Sequence, residues 1–92
     1  MTSPKSTKFK PAGASINPVT GELYILSSIN KLLVVAERTG SVKEIYHLDP
    51  SLFNQPEGIA FTPNGNLFIS NEAGNTQPAT ILFYQYINTD NK

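Results

Sequence analysis

The chain has 92 residues, enough for one small domain or for part of a larger one. Its seven basic and seven acidic residues cancel, so charge gives no reason to expect a nucleic-acid or anionic-membrane partner. The chain has no cysteine and its single histidine is His47, which excludes disulfides, thiolate metal sites and a histidine-rich zinc site within one chain.

Residues 1–8 are predicted to be a disordered polar tail, and residues 88–92 a second tail. Lys5, Lys8 and Lys10 are spaced through the polar start MTSPKSTKFK, which is typical of a solvated segment rather than of a nucleic-acid arm. This start lacks the apolar run of a signal peptide, and no later segment approaches the roughly 20 apolar residues of a membrane span.

Four β-strands are predicted in the first half of the chain. Residues 10–28, KPAGASINPVTGELYILSS, read as a hairpin with its turn at PVTG. A third strand follows in KLLVVAE and, after the turn RTG, a fourth and more polar strand in SVKEIYHL. In the next segment, DPSLF, Asp49 is predicted to cap a single turn with Pro50 at its first position.

A second copy of the hairpin sequence lies at residues 55–72, QPEGIAFTPNGNLFISNE. Pro56 lies 45 positions after Pro11, whereas Gly65 lies 44 positions after Gly21, and the lost residue falls in the turn. Turns tolerate length changes and strand registers do not, so this offset supports the alignment. Pro63 and Asn64 predict a type I turn that Gly65 completes in the left-handed conformation.

Antiparallel strands repeated at this interval predict an all-β fold of four-stranded blades, about two blades of a six-bladed β-propeller. Residues 9–48 form blade 1, 49–55 the connection, and 56–87 an incomplete blade 2 ending in the strand ATILFYQY. Because propellers close with four to eight blades, two blades leave apolar faces and one strand edge uncovered. The expected partners are therefore the remaining blades of a longer propeller or further copies of the chain, three copies giving six blades.

Three segments carry a family resemblance: GELYILSSINKLLVVAERTG, QPEGIAFTPNGNLFISNE and ATILFYQY. Together they resemble the C-terminal portion of the SdiA-regulated propeller family, over residues 9–86. NHL-repeat and gluconolactonase-like propellers share the same pattern of GIA followed by P, G and LY. Members of the SdiA-regulated family are bacterial and envelope-associated, so the resemblance implies a propeller in the cell envelope or periplasm.

A candidate site lies where the second hairpin begins and ends. The first strand of a blade starts beside the end of the second, which brings Glu57 next to Asn71 and Glu72. Two carboxylates and an amide oxygen are hard ligands suited to calcium, which takes six to eight oxygens, and gluconolactonase-like enzymes hold a divalent ion with such residues. The matching positions of the first copy are Ala12, Ser27 and Ser28. The scaffold alone therefore does not demand acids there.

The same residues have a structural interpretation and two functional ones. Structurally, Glu57 accepts a hydrogen bond from a neighbouring loop, while Asn71 and Glu72 cap the turn into AGNTQP. Functionally, the preferred hypothesis is a scaffold without activity of its own that binds a ligand or partner through Glu57 and Glu72. The alternative is a fragment of a metal-dependent propeller hydrolase of the lactonase, esterase or phytase type, with these residues as ion ligands.

The other candidates favour structural roles. His47 has no nucleophile motif beside it and is predicted to be a surface or strand-packing residue. AGNTQP contains one glycine and no lysine, so it is not a phosphate loop. The strand aromatics are predicted to serve blade-to-blade packing, with a ligand-stacking platform as the alternative for the last two of them: Tyr24, Phe61, Phe68, Phe83, Tyr84 and Tyr86.

Overall fold

The computed structural model describes residues 9–86, and the tails predicted at 1–8 and 88–92 lie outside this range. The described residues form seven β-strands and no helix, so the predicted all-β class is confirmed. The strands are β1 (Gly13–Ile16), β2 (Leu23–Ser27), β3 (Leu32–Ala36), β4 (Val42–His47), β5 (Pro56–Phe61), β6 (Leu67–Asn71) and β7 (Thr80–Tyr84).

The strands form two separate antiparallel sheets rather than one continuous sheet. Sheet 1 has the order β1-β2-β3-β4 and sheet 2 the order β5-β6-β7. Each is a meander in which every strand pairs with the next one in the chain, which needs only short turns. The segment KLLVVAE contributes β3, so the strand prediction is correct there as well.

Gly65 completes the β5–β6 turn in the left-handed conformation, as predicted, and glycines close two further turns in the same way. The Gly65 N–H donates to the Thr62 carbonyl at 2.9 Å, and Gly65 has a φ of 92°. Gly21 and Gly40 close the β1–β2 and β3–β4 turns with φ values of 76° and 99°. Side chains with a Cβ rarely adopt this left-handed region, so the glycines determine where these turns form.

The core lies between the two sheets. Side chains alternate along a strand, so each strand turns one set of residues toward the other sheet. These residues form a hydrophobic cluster between the sheets, to which the connection adds Phe53. Half-buried neighbours such as Tyr24, Ile59 and Leu82 pack around the cluster. The buried members of this cluster are Leu26, Leu33, Phe53 and Ile69.

The first strands of the two sheets approach closely at one glycine. A Cβ placed on Gly13 would lie 3.0 Å from the Glu57 carbonyl oxygen. A larger residue at Gly13 would therefore push β1 away from β5, and glycine is the residue that permits this spacing.

The outer faces of both sheets carry exposed apolar side chains among the described residues, as predicted for two blades without neighbours, although Val34 in β3 is only 8% exposed. On sheet 2, Ile81 is 70% exposed and Phe83 is 52% exposed. On sheet 1, Ile45 is 54% exposed. Within residues 9–86, each sheet thus packs against the other sheet through one face only.

The connection between the sheets is a single turn, as predicted from DPSLF. The Phe53 N–H donates to the Asp49 carbonyl at 2.8 Å, and the Asp49 carboxylate accepts from the Ser51 backbone and hydroxyl at 2.9 and 2.8 Å. These bonds from Ser51 hold the pKa of Asp49 below its usual value. Within residues 9–86 no helix is long and apolar enough to cross a membrane.

Candidate functional site

The two ends of the second hairpin lie side by side, as predicted from the antiparallel pairing of its two strands. Pro56 is the register partner of Asn71, and the Glu72 N–H donates to the Gln55 carbonyl at 2.9 Å. The register shifts between Pro56 and Gly58, which makes Glu57 the extra residue of a β-bulge. Bulges redirect side chains at the ends of sheets, so this irregularity falls on the predicted site.

Asn71 is the buried member of the predicted set. It is 4% exposed, and its amide nitrogen donates to the Leu52 carbonyl at 3.3 Å and to the Thr80 hydroxyl at 3.2 Å. The amide oxygen Oδ1 is buried without a hydrogen-bond partner among the described residues. If the amide nitrogen and oxygen of Asn71 were exchanged, Oδ1 would face the Leu52 carbonyl oxygen, and neither atom can donate a hydrogen bond. The hydrogen bond to Leu52 therefore fixes the orientation of the amide.

The equivalent residue of the first hairpin, Ser27, is fully satisfied. Ser27 is 0% exposed, its hydroxyl donates to the Asn30 side chain at 2.8 Å, and it accepts from the Asn30 N–H at 3.2 Å. The repeat therefore places a small self-satisfied residue here in one sheet and an amide with an unpaired acceptor in the other. Since an unpaired buried polar group costs about 1–3 kcal/mol, packing alone does not account for Asn71.

Glu57 and Glu72 differ from Asn71 in burial, because both are exposed. Residues 9–86 contain no group of three or more His, Cys, Asp or Glu side chains that could hold a metal ion. Calcium takes six to eight oxygens. Two exposed carboxylates and one amide oxygen are thus a partial set of hard ligands, which needs oxygens from other sources to be completed.

A cavity of about 190 Å³ lies beside Asn71, between the connection and the β6–β7 loop. Ser51, Asn54, Gln77 and Thr80 line it together with Leu52 and Pro78. Sequence reasoning missed the first four of these residues, because their separation along the chain gives no local signal that the two loops meet. The segment AGNTQP, which the sequence excluded as a phosphate loop, supplies one wall of this cavity, whose lining contains no ionisable side chain.

Two of the strand aromatics, Tyr24 and Phe61, pack between the sheets as predicted, whereas Phe83 on the outer face of sheet 2 is 52% exposed. Tyr24 meets Phe61 edge to face with ring centroids 4.9 Å apart, which joins the two sheets. Phe53 and Tyr84 stack at 6.4 Å, and burial raises the pKa of the Tyr84 phenol. His47 is exposed at the end of β4, in agreement with its predicted surface role.

Two stacked antiparallel meanders with β1 against β5 define a module of β-propeller blade type. The family model described as SdiA-regulated matches residues 11–85, and the chain belongs to the SdiA-regulated family. This confirms the resemblance seen in the hairpin sequences. No curated protein and no solved structure gives a significant match.

Proposed function

We propose that this protein is a non-catalytic binding scaffold of the bacterial cell envelope, with its ligand held at the rim formed by Glu57, Asn71 and Glu72. The unpaired Oδ1 of Asn71 is the observation that carries this proposal. A buried acceptor is stabilised by a hydrogen-bond donor or by a cation. The absence of any such orphan at Ser27 in the equivalent position supports a role beyond folding.

A cation is the ligand whose chemistry suits the rim best. Glu57 and Glu72 add two exposed carboxylates to the neutral amide oxygen, so the rim carries negative charge and hard oxygen donors. Calcium tolerates irregular coordination and water ligands more readily than magnesium. Water, further blades or a polyhydroxylated ligand would supply the other oxygens.

Calorimetric titration with calcium tests the proposal on the complete chain. We expect measurable binding that weakens at least tenfold in Glu57→Ala and in Asn71→Ser, which introduce the residues found in the first repeat. Glu37→Ala, which removes an exposed carboxylate in the β3–β4 turn, is the control and should bind like the parent. An absence of calcium binding, or equal binding by all four proteins, refutes the cation site.

The hydrolase alternative assigns the same three residues as ion ligands, and no feature of the described geometry favours it over binding alone. The location rests on the family resemblance. Fractionation of cells that carry a tagged genomic copy tests it, with recovery in the envelope fraction expected and recovery with the cytosolic proteins contradicting the assignment.

A further inference from the structure

Two apolar surfaces of the molecule face outward on opposite sides of the sheet pair. The sheet 2 outer surface is formed by Ala60, Phe68, Ser70, Ile81 and Phe83. The sheet 1 outer surface is formed by Ile16, Ile25, Val34, Val42 and Ile45. Exposed apolar side chains on both are unfavourable for an isolated chain in water.

The sequence repeat relates each outer surface to the inner face of the other sheet. Phe68 lies 44 positions after Tyr24, and Tyr24 belongs to the face of sheet 1 that packs on sheet 2. Ile25 lies 44 positions before Ile69, which belongs to the face of sheet 2 that packs on sheet 1. The two outer surfaces are therefore the repeat equivalents of the two faces that already dock within the chain.

The glycines extend the correspondence to the backbone. Gly13 permits the close approach of the Glu57 carbonyl, and Gly58 occupies the same position in β5, 45 residues later. Ala12 stands 45 positions before Glu57. In a repeated contact, the backbone at Ala12 of a second copy would approach Gly58, where the Ser70 hydroxyl lies beside the glycine and would have to rotate away.

Charge does not oppose such a contact. A groove of about 410 Å³ on the sheet 1 outer surface is lined by apolar side chains and Asn30. The pocket on the sheet 2 outer surface, of about 400 Å³, is lined by apolar residues, Gly58 and Ser70. Neither lining contains an ionisable side chain, so docking through these two linings would bury no unpaired charge; His47, the register partner of Leu32, lies at one end of the same face of sheet 1.

We propose that the sheet 2 outer surface docks on the sheet 1 outer surface of a second copy of this chain, head to tail. Such a contact joins two different surfaces, so it continues from copy to copy until a ring closes. Three copies bring six stacked sheets together, within the four to eight blades of known propellers. This assembly does not depend on the proposed rim site, because the docking surfaces and the rim are different parts of the sheets.

Light scattering coupled to size-exclusion chromatography measures the assembly directly. The parent should elute as three chains of 10.0 kDa, about 30 kDa in total. Ile81→Asp and Ile45→Asp, at positions 70% and 54% exposed, should each yield folded monomers. Ile29→Asp is the matched control: it is 70% exposed but lies in the β2–β3 turn, and it should remain assembled.

Mixing the two disrupted variants tests the head-to-tail arrangement. Ile81→Asp retains an intact sheet 1 outer surface and Ile45→Asp an intact sheet 2 outer surface, so an equal mixture should form a capped dimer of two 10.0 kDa chains. Circular dichroism checks that each variant is folded. A monomeric parent overturns the proposal. So does an outcome in which Ile81→Asp disrupts the assembly and Ile45→Asp leaves it intact, because that would indicate pairing between two sheet 2 outer surfaces. Calcium titration of the monomeric variants reports on the rim separately.

Discussion

The stacking of the two sheets can be tested by truncating Ile69 at the centre of their contact. Ile69 is 1% exposed, pairs with Ile59 and Leu82, and belongs to the cluster with Leu26. Ile69→Ala removes three carbon groups, which at about 0.8 kcal/mol each gives about 2.4 kcal/mol of lost burial. The unrelaxed part of the cavity adds to this, so we expect a loss of about 3–4 kcal/mol.

Ile81→Ala is the matched control, because it makes the same chemical change in the same sheet. Ile81 is 70% exposed on the opposite face, and its truncation should change the unfolding free energy of the monomer by less than about 0.5 kcal/mol. A loss of 3–4 kcal/mol is a large part of the roughly 5–14 kcal/mol expected for a chain of this length.

Urea unfolding followed by circular dichroism measures both variants at two protein concentrations. Ile69→Ala should lower the midpoint by a similar amount at both concentrations, since it acts within each chain. Ile81→Ala should act mainly on the concentration dependence, as expected for a residue between copies. Equal losses for the two variants would refute the stacking of the sheets through this face.

Three further substitutions test local features. Gly65→Ala should lose about 1–3 kcal/mol and more than Gly40→Ala, since φ is positive at both but a Cβ at Gly65 would lie 2.9 Å from the nearest side-chain carbon; similar urea midpoints would contradict this. Lys43 donates to Glu22 and holds the pKa of that carboxyl below its usual value, so the contribution of the pair is present above the ordinary glutamate pKa and lost as pH falls through the lowered pKa. Lys43→Met should raise the Glu22 pKa in an NMR titration and destabilise the chain more at pH 7 than at pH 3; equal effects at both pH values would argue against the pair. Asn71→Leu should change stability by less than about 1 kcal/mol without calcium, because it removes two hydrogen bonds of 3.2 and 3.3 Å together with an unpaired oxygen; a larger loss in urea unfolding would indicate a purely structural role.

The strands and turns could be predicted from local chemistry. The segment from Thr62 to Gly65 predicts a tight turn, because Pro63 fixes its own φ and Gly65 can adopt a positive φ. The structure contains that turn. The proximity of Glu57 to Asn71 followed from the hairpin register alone. These features depend on neighbours in the chain or on a single antiparallel pairing, which sequence spacing determines.

The site could be predicted only in part. Spacing identified Glu57, Asn71 and Glu72 as neighbours but could not show that Asn71 is buried while the two carboxylates are exposed. The bulge at Glu57 also had no visible signal, because a register shift depends on how both strands pack.

By itself the amino-acid sequence determined the all-β class, the repeat of the hairpin and the positions of the three turns that glycines close, since β-prone runs and glycine turns are local properties. Only the tertiary structure decided that the connection and the β6–β7 loop enclose Asn71 with an unpaired oxygen, and which faces of the sheets are covered. Burial and hydrogen-bond satisfaction depend on atoms that are distant in the chain, and a local pattern does not contain their positions.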